Sequence, residues 1–390
     1  MLDLDCGLEF AAAHTEDFFA ALPSLPAVCL IDLKETGAEP YLIRTQDLKR
    51  RLQRLLGPVD PASKRLNLSS LARGIRYRLT GSAFEQTYTY YLNSKQLFPK
   101  RYRALLKLRP AAVLKVNLRN AYPRCYVTRK IAVDAFGVPA GGIYYGPFAS
   151  RKLAEAFAEK ALDLFKVRRC QIKIRRDPSF PGCIYSEMKM CLAPCFAGCT
   201  EEEYKTEVAR LVQFLETSGD SLHNMIEQER EQASEQLDFE RAAALHKKVE
   251  KIDEALRGQP ELARRIQDLN AVILQRTPEE QTIGIFGIRG GRLQEPSFLR
   301  FADMASQPRS AEQLFRNYLE NSTEETTADP NSVSSASSRD ELGEHLSLIS
   351  RWYYSNPRAG EIFFREKDWP YRRILRACSR LLAPSVPPAT

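Results

Sequence analysis

Short apolar runs bounded by turn residues alternate with helical stripes along the first third of the chain. AVCLIDL (27–33) reads as a buried strand, KETGAE with Gly37 as a hairpin turn, and PYLIR (40–44) as the returning strand. Asp47 is placed to cap a helix, DLKRRLQRLL, whose Leu48, Leu52, Leu55 and Leu56 share one face, while Lys49, Arg50, Arg51 and Arg54 form a basic stripe on the other. IRYRLTGS reads as a further strand, and the Tyr-rich stretch 84–108 as helical. Residues 1–22 read as a short helix or tail.

From 109 to 147 Pro and Gly punctuate strands and loops, among them RCYVTRKIAVDAF. SRKLAEAFAEKALDLF (150–165) is an amphipathic helix with a Ser cap, and a cysteine-rich set of loops follows it. At Thr200 the character turns acidic and helical: TEEEYKTEVARLVQFLETSG is a capped helix that Gly219 ends. Leu222, Met225, Ile226, Glu229, Ala233 and Leu237 then stripe one helix, and Asp238 caps another carrying Phe239, Ala242, Ala243, Leu245, Val249 and Ile252. So short a break predicts an antiparallel hairpin over 222–256. After Pro260 a second mixed unit appears, with a hairpin turning at Gly290-Gly291. Residues 321–338 are low in complexity and predict a flexible insert, the helix RDELGEHLSLISRWYYS follows, and the chain from Pro384 reads as disordered.

The fold class is therefore α+β and multi-domain. The expected divisions are an N-terminal helix or tail (1–22), a small α/β domain (23–108), a basic Cys-rich region (109–200), a helical region with its hairpin (201–258), a mixed α/β unit (265–365) and a tail (366–390).

Charge changes the picture more than composition does. Residues 41–180 hold 30 Lys/Arg against 8 Asp/Glu, a balance of +22, and the rest of the chain carries −14. A block this basic predicts a polyanionic partner, most simply nucleic acid. Candidate phosphate contacts are Lys49, Arg50, Arg54, Arg101, Arg103, Arg168, Arg169, Arg175 and Arg176, with Tyr88, Tyr90 and Tyr91 available to stack on bases or to pack a core. No run of about 18 apolar residues suggests a membrane span. The N-terminus, MLDLDCGLEF, is acidic where a signal peptide would be basic, so a cytoplasmic location is expected.

Four thiols crowd the segment RRCQIKIRRDPSFPGCIYSEMKMCLAPC: Cys170, Cys183, Cys191 and Cys195. In a reducing compartment such a group either holds a metal centre, zinc or iron–sulfur, or consists of buried small apolar residues that lie close together. The Pro in CLAPC stiffens a turn that can aim two thiolates at one point, which favours the metal centre.

The run YYGPFASRKLAEAF…LFKVRRC…PGC…CLAPC…EEEY…VQFLETSG…LDFERAAALHKKVEKI resembles the UvrC family, the nuclease subunit of bacterial nucleotide excision repair. The resemblance covers roughly residues 23–365. It implies that the four cysteines hold a 4Fe-4S cluster, with zinc as the alternative and Cys199 outside the ligand set. It implies that the hairpin is a UVR motif that pairs with a UvrB-type protein through Leu237, Phe239, Ala242 and Ala243. It also places a GIY-YIG nuclease domain at the front, and there the pattern is damaged. Tyr41 and Arg51 match family residues, whereas Cys29 stands at the GIY tyrosine, Ile43 at the YIG glycine, Tyr91 at the metal-binding Glu and Arg103 at the Asn. Glu85, the nearest carboxylate, lies almost two helical turns away from that position. A phenol is a poor ligand for Mg²⁺ or Mn²⁺, so neither is expected. Gly142–Gly146 imitates a GIY element but matches the family's YFGPF segment better. Glu366 and Asp368, the last acids, read as surface charge.

These features together predict a UvrC-like DNA-binding protein of excision repair that lacks its own incision chemistry and acts through DNA and a UvrB-type partner. The alternatives are an active GIY-YIG-type endonuclease making a single incision, and a redox-responsive DNA-associated protein with no repair partner.

Overall fold

The computed structural model describes residues 3–11, 15–59, 63–134, 137–302, 310–324 and 337–383. At the front, β2 (Ala27–Leu33) and β3 (Tyr41–Thr45) pair as an antiparallel hairpin, and β4 (Ala72–Leu79) lies on the other side of β2. The chain start is not a tail: β1 (Cys6–Glu9) pairs with β4 and closes the sheet order β1-β4-β2-β3. Period-two alternation divides the sheet's residues. Cys29, Ile31 and Ile43 face α1 (Thr15–Ala20) and α2 (Leu48–Leu56), while Val28, Leu30 and Leu42 face the opposite side. Asp47 caps α2 through the Arg50 N–H, as its sequence predicts.

The helical stretch 84–108 divides in two. Ser82 caps α3 (Ala83–Leu97), Phe98 ends it, and a short turn, α4 (Tyr102–Leu105), follows. α3 is buried on two sides. Leu97 and Phe98 meet Val28, Leu30 and Leu42 of the front sheet, whereas Phe84, Tyr88 and Tyr91 enter a second core further along the chain. The boundary expected at 108 therefore falls inside a packed core.

The middle sheet has the order β6-β5-β7-β8, built from β5 (Ala112–Val116), β6 (Cys125–Thr128), β7 (Ile143–Phe148) and β8 (Arg264–Arg265). β7 contains the GIY look-alike, and its Tyr144 and Tyr145 are buried sheet residues. α5 (Arg151–Leu162) covers one face. The cysteine loops follow, with one short turn, α6 (Ile184–Glu187), and then α7 (Glu201–Glu216), started by a Thr200–Glu203 capping box. Thr217 rather than Gly219 caps the end of α7; Gly219 sits at φ +95° and opens α8 (Asp220–Glu235). α9 (Phe239–Leu256), capped by Asp238, returns along α8, and the base of this hairpin packs into the core under α5 and α7.

The rear sheet runs β11-β10-β9-β13, from β9 (Ala271–Arg276), β10 (Thr282–Arg289), β11 (Arg292–Leu293) and β13 (Glu361–Phe364), with β12 (Ser297–Arg300) also pairing β10. One face, carrying Ile273, Phe286 and Ile288, joins α3 and α11 (Ser337–Tyr353). The other, carrying Val272, Leu274 and Ile283, is covered by α10 (Ala311–Glu324) and α12 (Tyr371–Leu382). The tail expected over 366–390 is thus largely a packed helix. Tyr371, Ile374, Ala377 and Cys378 repeat at helical spacing and are buried, and that stripe was legible in YRRILRACSRLL. Within the expected insert, 321–324 end α10 and 337–338 begin α11; residues 325–336, and 384–390 at the end, lie outside the described residues.

One carboxylate ties front to rear. Glu344 on α11, almost fully buried, accepts from the Tyr91 hydroxyl at 2.8 Å, the Tyr102 hydroxyl at 2.6 Å and the Arg103 Nε at 2.7 Å. Glu341, one turn earlier, takes Lys95 at 2.7 Å. Glu344→Ala leaves two phenols without an acceptor. A buried donor left unpaired costs about 1–3 kcal/mol, so the urea midpoint should fall clearly, while Arg380→Ala at the exposed Glu361 pair should move it little.

Candidate functional site

The residues at the family's nuclease positions do not form one site. Cys29 and Ile43 are cross-strand partners on the α2 side of the front sheet, 0% and 6% exposed, and Tyr77 flanks Cys29 on the next strand. Burial pushes the Cys29 thiol up to about 12, which leaves it an inert core group. Tyr41 packs against the same cluster, and Arg51 is half-buried on α2. Tyr91 instead lies fully buried in the rear core, bound to Glu344. Tyr91 thus serves as packing between α3 and α11. Tyr88 and Tyr91 are core residues, and Tyr90 lies beneath the Arg44 guanidinium at 5.7 Å.

Glu85 is also buried. Its Oε2 accepts from the Gly81 N–H at 2.8 Å, and it lines a cleft of about 690 Å³ together with Arg78, Phe298 and Arg300. Desolvation pushes its carboxyl up to about 7, opposed by the Gly81 N–H and Arg78.

The nine candidate phosphate contacts separate by environment. Lys49, Arg50 and Arg54 lie on the side of α2 away from its buried leucines; Arg50 and Arg54 are exposed, and so is Arg175 beyond the first thiol. Arg101 pairs with Glu39, and Arg103 is committed to Glu344. Arg176 remains exposed while its Nη2 donates to the Cys199 carbonyl at 3.1 Å.

Two of the nine require correction. Arg168 is 5% exposed. Its Nε donates to the Tyr122 carbonyl at 2.8 Å, and its Nη1 donates to the Cys170 and Ile172 carbonyls at 3.2 and 3.0 Å and lies 3.7 Å from the Cys170 sulfur. Its guanidinium is spent on the protein's own backbone, not on a phosphate. Arg169 likewise pairs with Asp163 at 2.6 Å and lies over Tyr185. A run of consecutive cations gave no signal that two of them point inward.

The thiols occupy irregular loops between α5 and α7. The half-buried Cys191 sulfur accepts from the Ala193 N–H at 3.3 Å. Burial pushes its thiol up to about 11, against that N–H, and Cys170, Cys195 and Cys183 push the same way. Burial also raises Cys195, opposed by the Phe196 N–H, and again Cys183 and Cys170 act on it. The four thiols are therefore electrostatic neighbours. Among the described residues no group of three or more Cys, His, Asp or Glu converges closely enough to hold a single metal ion. Cys199 is buried nearby and is raised by its own burial.

At the hairpin tip, Leu237 and Phe239 are 72% and 66% exposed, with Leu237 at φ +59° between the helices. Ala243 is exposed and Ala242 half-buried behind them. Two large apolar side chains are thus left open to solvent at the tip. No helix is long and apolar enough to cross a membrane among the described residues.

Residues 111–214 match the family described as UvrC/Cho excinuclease, middle domain. The chain is 28% identical over 280 residues to UvrABC system protein C of Dehalococcoides mccartyi, covering 70% of this chain and 44% of that protein. Against the protein of the same name from Ruminiclostridium cellulolyticum it is 30% identical over 181 residues, 46% of this chain and 28% of that one. For Carboxydothermus hydrogenoformans the figures are 29% over 275 residues, 70% and 43%. The chain thus spans less than half the length of these relatives. No solved structure matches it.

Glu85 yields a pH test. Its carboxyl is raised from 4.5 to about 7, so both folded and unfolded chains hold the proton below pH 4.5. As pH rises through this window the unfolded chain releases the proton first, and stability is lost. Glu85→Gln removes that loss. Urea midpoints should show the variant gaining up to about 3 kcal/mol over the native chain above pH 7 and little below pH 4.5.

Proposed function

Because this chain is a relative of the UvrC family and carries that family's middle domain at 111–214, we propose that it is a DNA-binding protein of nucleotide excision repair that has no incision chemistry of its own. The observation that carries this reading is the fate of Tyr91. It stands where the family places its metal-binding Glu, and it is buried and hydrogen-bonded to Glu344, in a different core from Tyr41. Cys29 and Ile43 fill the facing strands with apolar contacts where an active domain offers a phenol and a bare backbone. Phosphodiester hydrolysis needs a hard cation beside the scissile phosphate. Neither a phenol nor a buried thiol supplies that site.

DNA is held through the basic block, with Lys49, Arg50 and Arg54 on α2 and Arg175 and Arg176 on the cysteine loops as the open contacts. The hairpin tip is the partner surface. Leu237 and Phe239 offer an apolar contact of the kind a second helical hairpin, on a UvrB-type protein, would cover.

Cys170, Cys183, Cys191 and Cys195 would hold a 4Fe-4S cluster. Four mutually interacting thiols on loops, with backbone N–H groups directed at the sulfurs of Cys191 and Cys195, fit such a ligand set. The cluster would cross-link the loops between α5 and α7.

The decisive experiment is a nicking assay on lesion-bearing duplex with Mn²⁺, with and without UvrA and UvrB. The expected result is binding without nicks above background. Mn²⁺-dependent nicking that disappears in Arg51→Ala would restore the endonuclease reading. Phe239→Ala should weaken UvrB co-purification by about tenfold or more, as expected for an aromatic hot spot, and leave DNA affinity unchanged.

A further inference from the structure

Between the loop joining β5 to β6 and the segment after Cys170 lies a cavity of about 490 Å³. Its wall carries three cations, Arg124, Arg168 and Lys173, and three amides, Asn117, Asn120 and Gln171, and none of its described lining residues is a carboxylate. In a protein with 49 Asp and Glu, a polar cavity without one is set apart chemically. Two larger polar clefts carry acids beside their cations, Asp5, Glu85 and Glu279 in one and Glu9, Asp32 and Glu35 in the other.

The two walls are joined by one guanidinium. Arg168 donates to Tyr122 on one wall and to Cys170 and Ile172 on the other, so its charge lies at the seam while its hydrogen bonds set the spacing. Tyr204 adds to the clamp from α7: its hydroxyl donates to the Pro123 carbonyl at 2.8 Å and accepts the Arg168 N–H at 3.0 Å. Arg124 is held over the Tyr126 ring, 4.4 Å from its centroid, and the Asn117 N–H bonds the Arg124 carbonyl at 3.1 Å. Arg168, Arg124 and the two loop walls are therefore held before any ligand arrives, which lowers the ordering cost of binding at that part of the cavity.

We propose that this cavity is a phosphodiester subsite, in which Arg124 and Lys173 contact the backbone of a nucleic-acid strand, the amides of Asn120 and Gln171 complete the oxygen contacts, and Arg168 is a positioning residue. This rests on the DNA-binding reading above and locates one of its anchor points. Guanidinium, ammonium and amide N–H groups around a carboxylate-free hollow match the charge and acceptor pattern of phosphate oxygens. The cavity falls in the size range, roughly 300–1,000 Å³, of sites that enclose a ligand the size of a nucleotide.

The test is titration of the full chain with an oligodeoxynucleotide of about 20 residues across a salt series, with inorganic phosphate as competitor. Arg124→Ala/Lys173→Ala removes two contacts. At about 0.1 M salt it should weaken binding on the order of tenfold, and the slope of log K against log salt should become shallower by about 1.4 for a single strand. Asn120→Asp, isosteric and at an exposed position, should weaken binding several-fold by placing a carboxylate in the wall. Arg372→Ala/Arg376→Ala, on the exposed side of α12, is the charge-matched control and should leave the slope unchanged. Equal losses in the control and the subsite variant, or none in either while the native chain binds, would overturn the subsite and leave the DNA-binding reading standing. A native chain that does not bind the oligonucleotide at all would overturn both. Displacement by inorganic phosphate at matched phosphate concentration would show a free-anion site and refute the strand contact.

Discussion

A single carboxylate holds the molecule's two ends in register. Glu344 takes three hydrogen bonds from residues more than 240 positions earlier, two of them from buried phenols. A buried anion is tolerated only when its neighbours replace the water it has lost. Tyr91, Tyr102 and Arg103 do that, and in doing so they become fixed. α3 then has no freedom to turn Tyr91 toward the front sheet. The helix serves here as a pillar between two sheets.

A similar economy operates around the cysteines. Loops that lack regular structure need an external frame, and Arg168 and Tyr204 provide one through backbone carbonyls on both sides of the seam. Cys170, the first of the four thiols, lies on that frame, so the start of the cysteine loops and the carboxylate-free cavity share one support.

Much of this was legible in the chain. The front hairpin, the Asp47 and Thr200 caps, the α8–α9 pair and the turn at Gly290-Gly291 follow from periodicity and local turn chemistry, which depend on near neighbours. What escaped depends on distant ones. β1 is too short and too exposed to announce itself, and only β4 reveals its role. Glu344 sits in a helix whose sequence, ELGEHL, looks like ordinary surface charge. Arg168 and Arg175 are chemically alike in a list of cations, yet one is buried and the other open. α12 is a different case, because its apolar stripe of Tyr371, Ile374, Ala377 and Cys378 follows from local periodicity alone and is readable in YRRILRACSRLL.

The strand β8 carries a consequence for the limits of the middle region. Homology marks that region as 111–214, but its sheet is completed by Arg264 and Arg265 pairing with Gly146 and Tyr145. Its hydrophobic interior also draws on Leu245, Val249 and Ile252 of α9. A fragment cut at the homology limits would expose a raw sheet edge and a stripped apolar floor, both invitations to aggregation. The heritable module and the cooperative folding unit are different objects here, and the smallest piece that can stand alone must run past residue 265.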